Sequence, residues 1–112
     1  METKRIEFSL PSEHYNKLLF NIQKEGMAFQ FGTVRLAKGT RLPETGFTRH
    51  PEHEISIVQN GKIEMLNEDG CVMGYLNTGD VVYIEALEAQ AGNILENTEI
   101  IYFLIKDQPH EK

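Results

Sequence analysis

The residues best suited to chemistry in this chain fall in one stretch, "FTRHPEHEISIVQNGKIEM" (47–65). Its centre, "HPEHE", brings His50, His53 and the carboxylates Glu52 and Glu54 close together in sequence. Neutral imidazole and ionised carboxylate are ordinary ligands for divalent first-row metals, and the same pair can move a proton. His50 and Glu54 are separated by Pro51, which cannot donate to a strand ladder, so 50–53 reads as a strand entrance or bend. A bend can carry His50 over the face from which Glu54 projects. A carboxylate pointing into a barrel needs compensation from a metal, an arginine or a ligand hydroxyl, because burial unpaired would force it to take up a proton. The same residues also make an ordinary solvated loop, and the stretch alone does not choose between the two.

The elements that must position these residues are strands. "FQFGTVRLA" (29–37) puts Phe29, Phe31 and Thr33 on one face with Gln30 and Val34 on the other. "EISIVQ" (54–59) alternates and stops at Asn60-Gly61, a strong hairpin signal, and "KIEML" (62–66) is the return strand. On the first of these Glu54, Ser56 and Val58 share a face, and Ile55 and Ile57 share the other. "NEDG" (67–70) is a second turn before the short strand "CVMGYL", and "NTGD" (77–80) precedes "VVYIE". A looser stretch leads to "EIIYFLIK" (99–106), read as a well-buried final strand. "KGTRLPETG" reads as a loop. Short strands with turn chemistry between them predict an all-β fold, a small β-barrel or double-sheet jelly roll with at most one short helix.

The N-terminal segment supports two conformations. In "SEHYNKLLFNIQKE" the residues Tyr15, Leu18, Leu19 and Ile22 fit one face of a helix, and "KLLFNI" would serve equally as a strand. The expected organisation is an N-terminal strand or short helix over 1–27, suited to a dimer interface, a barrel over 28–106, and a polar tail over 107–112 that carries His110.

Bulk composition limits the partners. In 112 residues the apolar fraction is 40 % and the charged fraction 25 %, ordinary for a single globular domain. A net charge of −6 argues against a nucleic-acid partner, which wants a basic face. No window is apolar enough for a membrane helix, and "METKRIEFSL" is charged where a secretory signal would turn apolar. The single cysteine, Cys71, is expected to be a small hydrophobe in a reducing cytoplasm.

"HPEHEISIVQNGKIE" resembles the first motif of the cupin superfamily: Gly, five residues, His-x-His, three or four residues, Glu, six residues, Gly. His50 stands at the second histidine, and Glu54 and Gly61 follow at matching distances. "GDVVYIEALEAQ" is similar to the second motif (Gly, five residues, Pro-x-Gly, two residues, His, three residues, Asn), with Gly79 and Asp80 in place. The resemblance spans about 28–106 and implies the cupin barrel. It also implies a metal held by three histidines and one glutamate, and here the chain departs. Thr48 replaces the first histidine, Gln90 the histidine of the second motif, and Glu85, Leu87 and Ile94 its proline, glycine and asparagine.

His50, Glu54 and Gln90, with His53 if the strand bulges, are therefore the candidate ligands for a divalent metal (Zn, Fe, Mn or Ni). The alternative is a polar cluster that contacts an organic molecule, joined by Tyr83, Tyr102 and Arg35. The function expected first is a small single-domain cupin that binds a small molecule in its barrel. The second is an enzyme of dioxygenase, isomerase or lyase type, metal-dependent or metal-free with His50 as catalytic acid–base. The third is a structural role as an obligate homodimer. A second copy of the chain is the expected protein partner under all three.

Overall fold

Alternation becomes strand wherever the sequence shows it. The computed structural model describes residues 1–107. Its strands are β1 (Asn16–Lys24), β2 (Met27–Leu36), β3 (Arg41–Leu42), β4 (His53–Asn60), β5 (Lys62–Leu66), β6 (Val72–Asn77), β7 (Val81–Ile84), β8 (Ala91–Ile94) and β9 (Thr98–Asp107). They form two antiparallel sheets, one in the order β1-β2-β9-β4-β7 and one in the order β3-β8-β5-β6. Among the described residues no helix is long and apolar enough to cross a membrane.

The segment with two readings is the strand β1, paired with β2 from Asn16↔Val34 to Lys24↔Met27. Two elements differ from the sequence reading. The loop "KGTRLPETG" contains β3, and the looser stretch after β7 contains β8, which pairs with β3 and β5. A two-residue strand has no period to detect, and "AGNI" shows no alternation because Ala91, Gly92 and Ile94 are all buried. The last strand also runs further than expected, with Asp107 paired to Met27. It is the central strand of its sheet, yet among its large residues only Tyr102 is fully buried. Cys71 is exposed rather than packed as a small hydrophobe. His110 lies outside the described residues.

The two sheets meet over a core of Leu36, Val58, Ile63 and Ile94, with Met65, Leu76 and Ile100 packed against it. Side-chain alternation decides which residues reach it. On β4 the inward set is Glu54, Ser56 and Val58, facing Leu104, Tyr102 and Ile100 across the ladder with β9. The β4–β5 hairpin turns at Gly61, whose φ is +119° and where a Cβ would run into the backbone and side chain of Thr98. Only glycine satisfies both demands.

The outer faces of the two sheets differ in character. On the four-stranded sheet Glu64 accepts hydrogen bonds from Tyr75 Oη and Asn93 Nδ2, and Lys62 lies over the Tyr75 ring. On the five-stranded sheet the outward set is Ile55 and Ile57 on β4, Val81 and Tyr83 on β7, and Ile101 and Phe103 on β9. Residues 4–9 cover only one side of this sheet: Thr33 Oγ1 donates to the Glu7 carbonyl and Lys4 lies over the Phe20 ring.

Candidate functional site

Three chain segments converge at one end of the space between the sheets. The first is the bend before β4. Pro51 keeps residues 50–52 out of the ladder, and the backbone N–H of Leu87 donates to the His50 carbonyl at 2.8 Å. The second is Glu54, the first inward residue of β4. The third is Gln90, held by a two-way backbone pair: Thr48 N–H donates to the Gln90 carbonyl at 2.8 Å and Gln90 N–H to the Thr48 carbonyl at 2.9 Å. This bridge extends the β3–β8 pairing, so Gln90 shares its inward direction with Gly92 and Ile94.

At the meeting point His50 Nε2 lies 3.2 Å from Glu54 Oε1 and 2.6 Å from the Gln90 side-chain amide. The second oxygen of Glu54 accepts from Ser56 Oγ at 2.7 Å. His50 Nδ1 lies 3.1 Å from the Glu52 carbonyl, which can only accept, so Nδ1 carries a hydrogen. In the neutral ring Nε2 is then an acceptor and takes an N–H of Gln90. With a proton on Nε2 as well, Glu54 Oε1 becomes its acceptor and Gln90 must turn its carbonyl towards the ring. One proton thus selects between two hydrogen-bond arrangements.

The cluster opens onto a cavity of about 390 Å³ at the mouth of the barrel. Its polar lining includes Asn16, Thr48 and Tyr102 besides the three central residues, and Val34, Leu36, Ile100 and Leu104 supply apolar wall. Tyr102 is 6 % exposed and donates from its hydroxyl to Asn16 Oδ1 at 2.6 Å. Burial holds this phenol above its usual pKa; contact with the Asn16 amide opposes the shift, and the charge of Glu54 adds to it. The ring can pass across β2 to β1 because Gly32 lies opposite it; a Cβ there would stand 2.7 Å from the hydroxyl.

His50, Glu54, Gln90 and Tyr102 are brought together, and the other candidates lie elsewhere. His53 is on the outer face of β4, where its Nδ1 accepts from the Ala86 N–H at 3.2 Å and sits 3.0 Å from Tyr83 Oη. Tyr83 points outward from β7 beside it. Arg35 lies on the face of β2 opposite Val34 and Leu36, and its guanidinium donates to the Ser9 carbonyl. The sequence reading passed over three contributors. Ser56 was legible as a same-face neighbour of Glu54. Thr48 was named only as the residue in place of the first motif histidine, and Asn16 carries no local signal, because their roles depend on pairings between distant segments.

The donors do not make the four-ligand metal site that the resemblance implies. Thr48 offers a hydroxyl where an imidazole is needed, Gln90 offers an amide, and His53 faces away. Among the described residues no three His, Cys, Asp or Glu side chains are gathered as a metal would require, and no buried side-chain polar atom is left without a partner.

No family model matches the sequence, and no curated protein matches it. Solved structures do. The structure is similar to an RmlC-like cupin protein from Desulfovibrio desulfuricans, at a TM-score of 0.64 and 11 % identity over 91 % of this chain and 96 % of that one. It is similar to a Cupin 2 conserved barrel domain protein from Salinispora arenicola, at a TM-score of 0.64 and 22 % identity over 96 % and 89 % of the two chains. It is also similar to the EutQ protein of Clostridium difficile, at a TM-score of 0.60 and 17 % identity; there it covers 84 % of its own length but spans 63 % of EutQ. Two antiparallel sheets enclosing an inward cluster at one open end, with these likenesses in three dimensions, give this chain the cupin fold.

Proposed function

We propose that this cupin-fold domain binds a small organic molecule at the barrel mouth, through His50, Gln90, Glu54 and Tyr102, without a resident metal. The observation that carries the reading is His50 Nε2 held at hydrogen-bond distance from both Glu54 and the Gln90 amide on the wall of a 390 Å³ cavity. A mostly apolar cleft of that size with a few convergent polar groups is the usual form of a ligand site. Zn, Fe, Mn or Ni would find one imidazole, one carboxylate and one amide there, which is too few strong donors for tight binding.

Metal analysis of protein purified without a histidine tag tests this, repeated on His50→Ala. The expected result is substoichiometric metal in both, with a thermal midpoint that rises on adding a ligand and is unchanged by a chelator. Stoichiometric metal lost on mutation would sink the reading.

A second reading, acid–base catalysis by His50, is favoured by one observation. The ring is tethered through Nδ1 to the Glu52 carbonyl, which leaves Nε2 facing the cavity beside a carboxylate. Turnover of a bound compound that His50→Gln abolishes while its dissociation constant stays within a few-fold would establish it.

The partner in either reading is a second copy of the chain, seated on the outer face of the five-stranded sheet. Ile55, Ile57, Val81 and Tyr83 are adjacent there and 44 %, 40 %, 63 % and 58 % exposed. With their half-exposed neighbours on β9 they present several hundred Å² of uncharged surface, on the order of the roughly 800 Å² that each partner contributes to a standard interface. An uncharged patch also lets two molecules of net charge −6 approach where repulsion is least.

A further inference from the structure

The lining of the mouth cavity and of the space beneath it specifies the chemical class of the ligand. Among the described residues, no lysine or arginine lines the mouth. The two arginines nearest in sequence are engaged elsewhere: Arg41 donates to the Pro43 and Gly46 carbonyls, and Arg49 to the Leu87 carbonyl and Glu68. The imidazole that lines it among the described residues, His50, already stands beside the Glu54 carboxylate. An anionic head group would therefore lose its water, meet Glu54, and find no cation free to receive it.

Below the polar rim the wall becomes aliphatic and continues inward. Leu36, Leu42, Glu54 and Ile100 line both the mouth and a second cavity of about 110 Å³ in the barrel interior. The polar side chains on that inner cavity are Glu54 and Ser56, and they are bonded to each other. Met65, Leu76, Val82 and Ile84 then line both the inner cavity and a depression of about 270 Å³ between the edge strands β6 and β7. Shared walls thus set a hydrogen-bonding end beside an apolar interior.

We infer that the ligand is an uncharged amphiphile: one terminal hydroxyl, carbonyl or amide held between His50 Nε2, Gln90 and Glu54, and a linear aliphatic body running into the barrel interior. A terminal hydroxyl suits both arrangements of the cluster. It donates to Glu54 or to a bare Nε2 and accepts from the Gln90 amide or a protonated ring. The body gains from leaving water, because the polar side chains on that inner cavity, Glu54 and Ser56, are already bonded to each other and the rest of its wall is apolar. The inference rests on the mouth being a ligand site and adds which molecules it takes.

The test is a titration of the chelator-treated full chain with primary alcohols from 1-butanol to 1-decanol and with carboxylates of matched length, followed through methyl NMR signals. Alcohol affinity is expected to rise about fourfold per methylene, with shifts at Leu36, Ile63 and Ile94 in the barrel. Each carboxylate should bind at least tenfold more weakly than its alcohol. In Val82→Phe or Ile100→Phe the gain should stop at a shorter chain. Carboxylates that bind as well as alcohols, affinity independent of chain length, or shifts confined to Ile55, Ile57 and Ile101 on the outer face would overturn the assignment. If compounds perturb His50 and Gln90 without the chain-length trend, only the amphiphile assignment falls. If nothing perturbs them, the mouth falls as a site as well.

Discussion

Leu87 holds a backbone conformation that glycine adopts more readily. It stands where the second motif carries glycine, and its φ is +68°, in the left-handed region that costs a side chain about 1–2 kcal/mol. The conformation persists because the Leu87 N–H is bonded to the His50 carbonyl and its carbonyl accepts from Arg49. The Leu87 side chain is 61 % exposed and contributes little packing. Leu87→Gly should therefore raise stability by about 0.5–1 kcal/mol in urea denaturation, after the larger chain entropy of unfolded glycine is set against the relieved strain.

Tyr102 permits a prediction with a sign. Its folded pKa is raised, chiefly by burial, so the unfolded chain ionises first as pH rises. The stability it confers is complete below the unfolded value near 10 and is lost between there and the raised folded value. As pH rises above 10 the wild type should lose more stability than Tyr102→Phe. At neutral pH that variant should be about 1 kcal/mol less stable, because Asn16 Oδ1 loses its donor.

At the scale of elements, glycines fix what alternation cannot. Gly61 combines a positive φ with closest approach to Thr98, and Gly61→Ala should cost about 3 kcal/mol or more of unfolding free energy. Gly32→Ala should also cost stability, because a Cβ there would meet the Lys17 carbonyl at 2.6 Å, and it should disturb the site by displacing the Tyr102 ring; a changed Tyr102 ring signal in NMR would report this. The longer strands were legible because period-two runs end in turn residues, as 54–59 does at Asn60-Gly61. β3 and β8 were not, since a sheet partner rather than local pattern makes them strands. β1 satisfied a helical and a strand pattern at once, and only pairing with β2 separates them. His50, Glu54 and Gln90 could be named from motif spacing, whereas the bonds that hold them, from Glu52, Ser56 and Thr48, depend on bends and cross-sheet pairing that spacing does not encode.

For the whole molecule, the contrast between the outer faces is the consequential feature. One sheet presents Lys62, Glu64 and Tyr75, with exposed Val72 and Met73 on its edge strand β6; the other presents the adjoining Ile55, Ile57, Val81 and Tyr83. Sedimentation at micromolar concentration should give a dimer, and Ile57→Lys combined with Val81→Glu should give a folded monomer. A wild-type monomer would refute the second copy as occupant of that face. Because the mouth cavity is lined by Glu54 from the opposite face of β4, ligand affinity there should differ little between dimer and monomeric variant.

The barrel is also laced more tightly at one end than at the other. Away from the mouth, Val58 N–H is bonded to the Asp80 carbonyl, Gly79 N–H to the Val58 carbonyl, Leu95 N–H to the Lys62 carbonyl, and Lys62 N–H to Thr98 Oγ1. At the mouth, the Thr48–Gln90 pair and the Leu87 bond hold longer irregular segments. The two ends should keep different time. Amide protons of Val58 and Lys62 should exchange with solvent only as the whole chain unfolds, while those of Leu87 and Gln90 should exchange through local opening at far lower cost. A bound ligand would then slow the fast end and leave the slow end's clock almost unchanged.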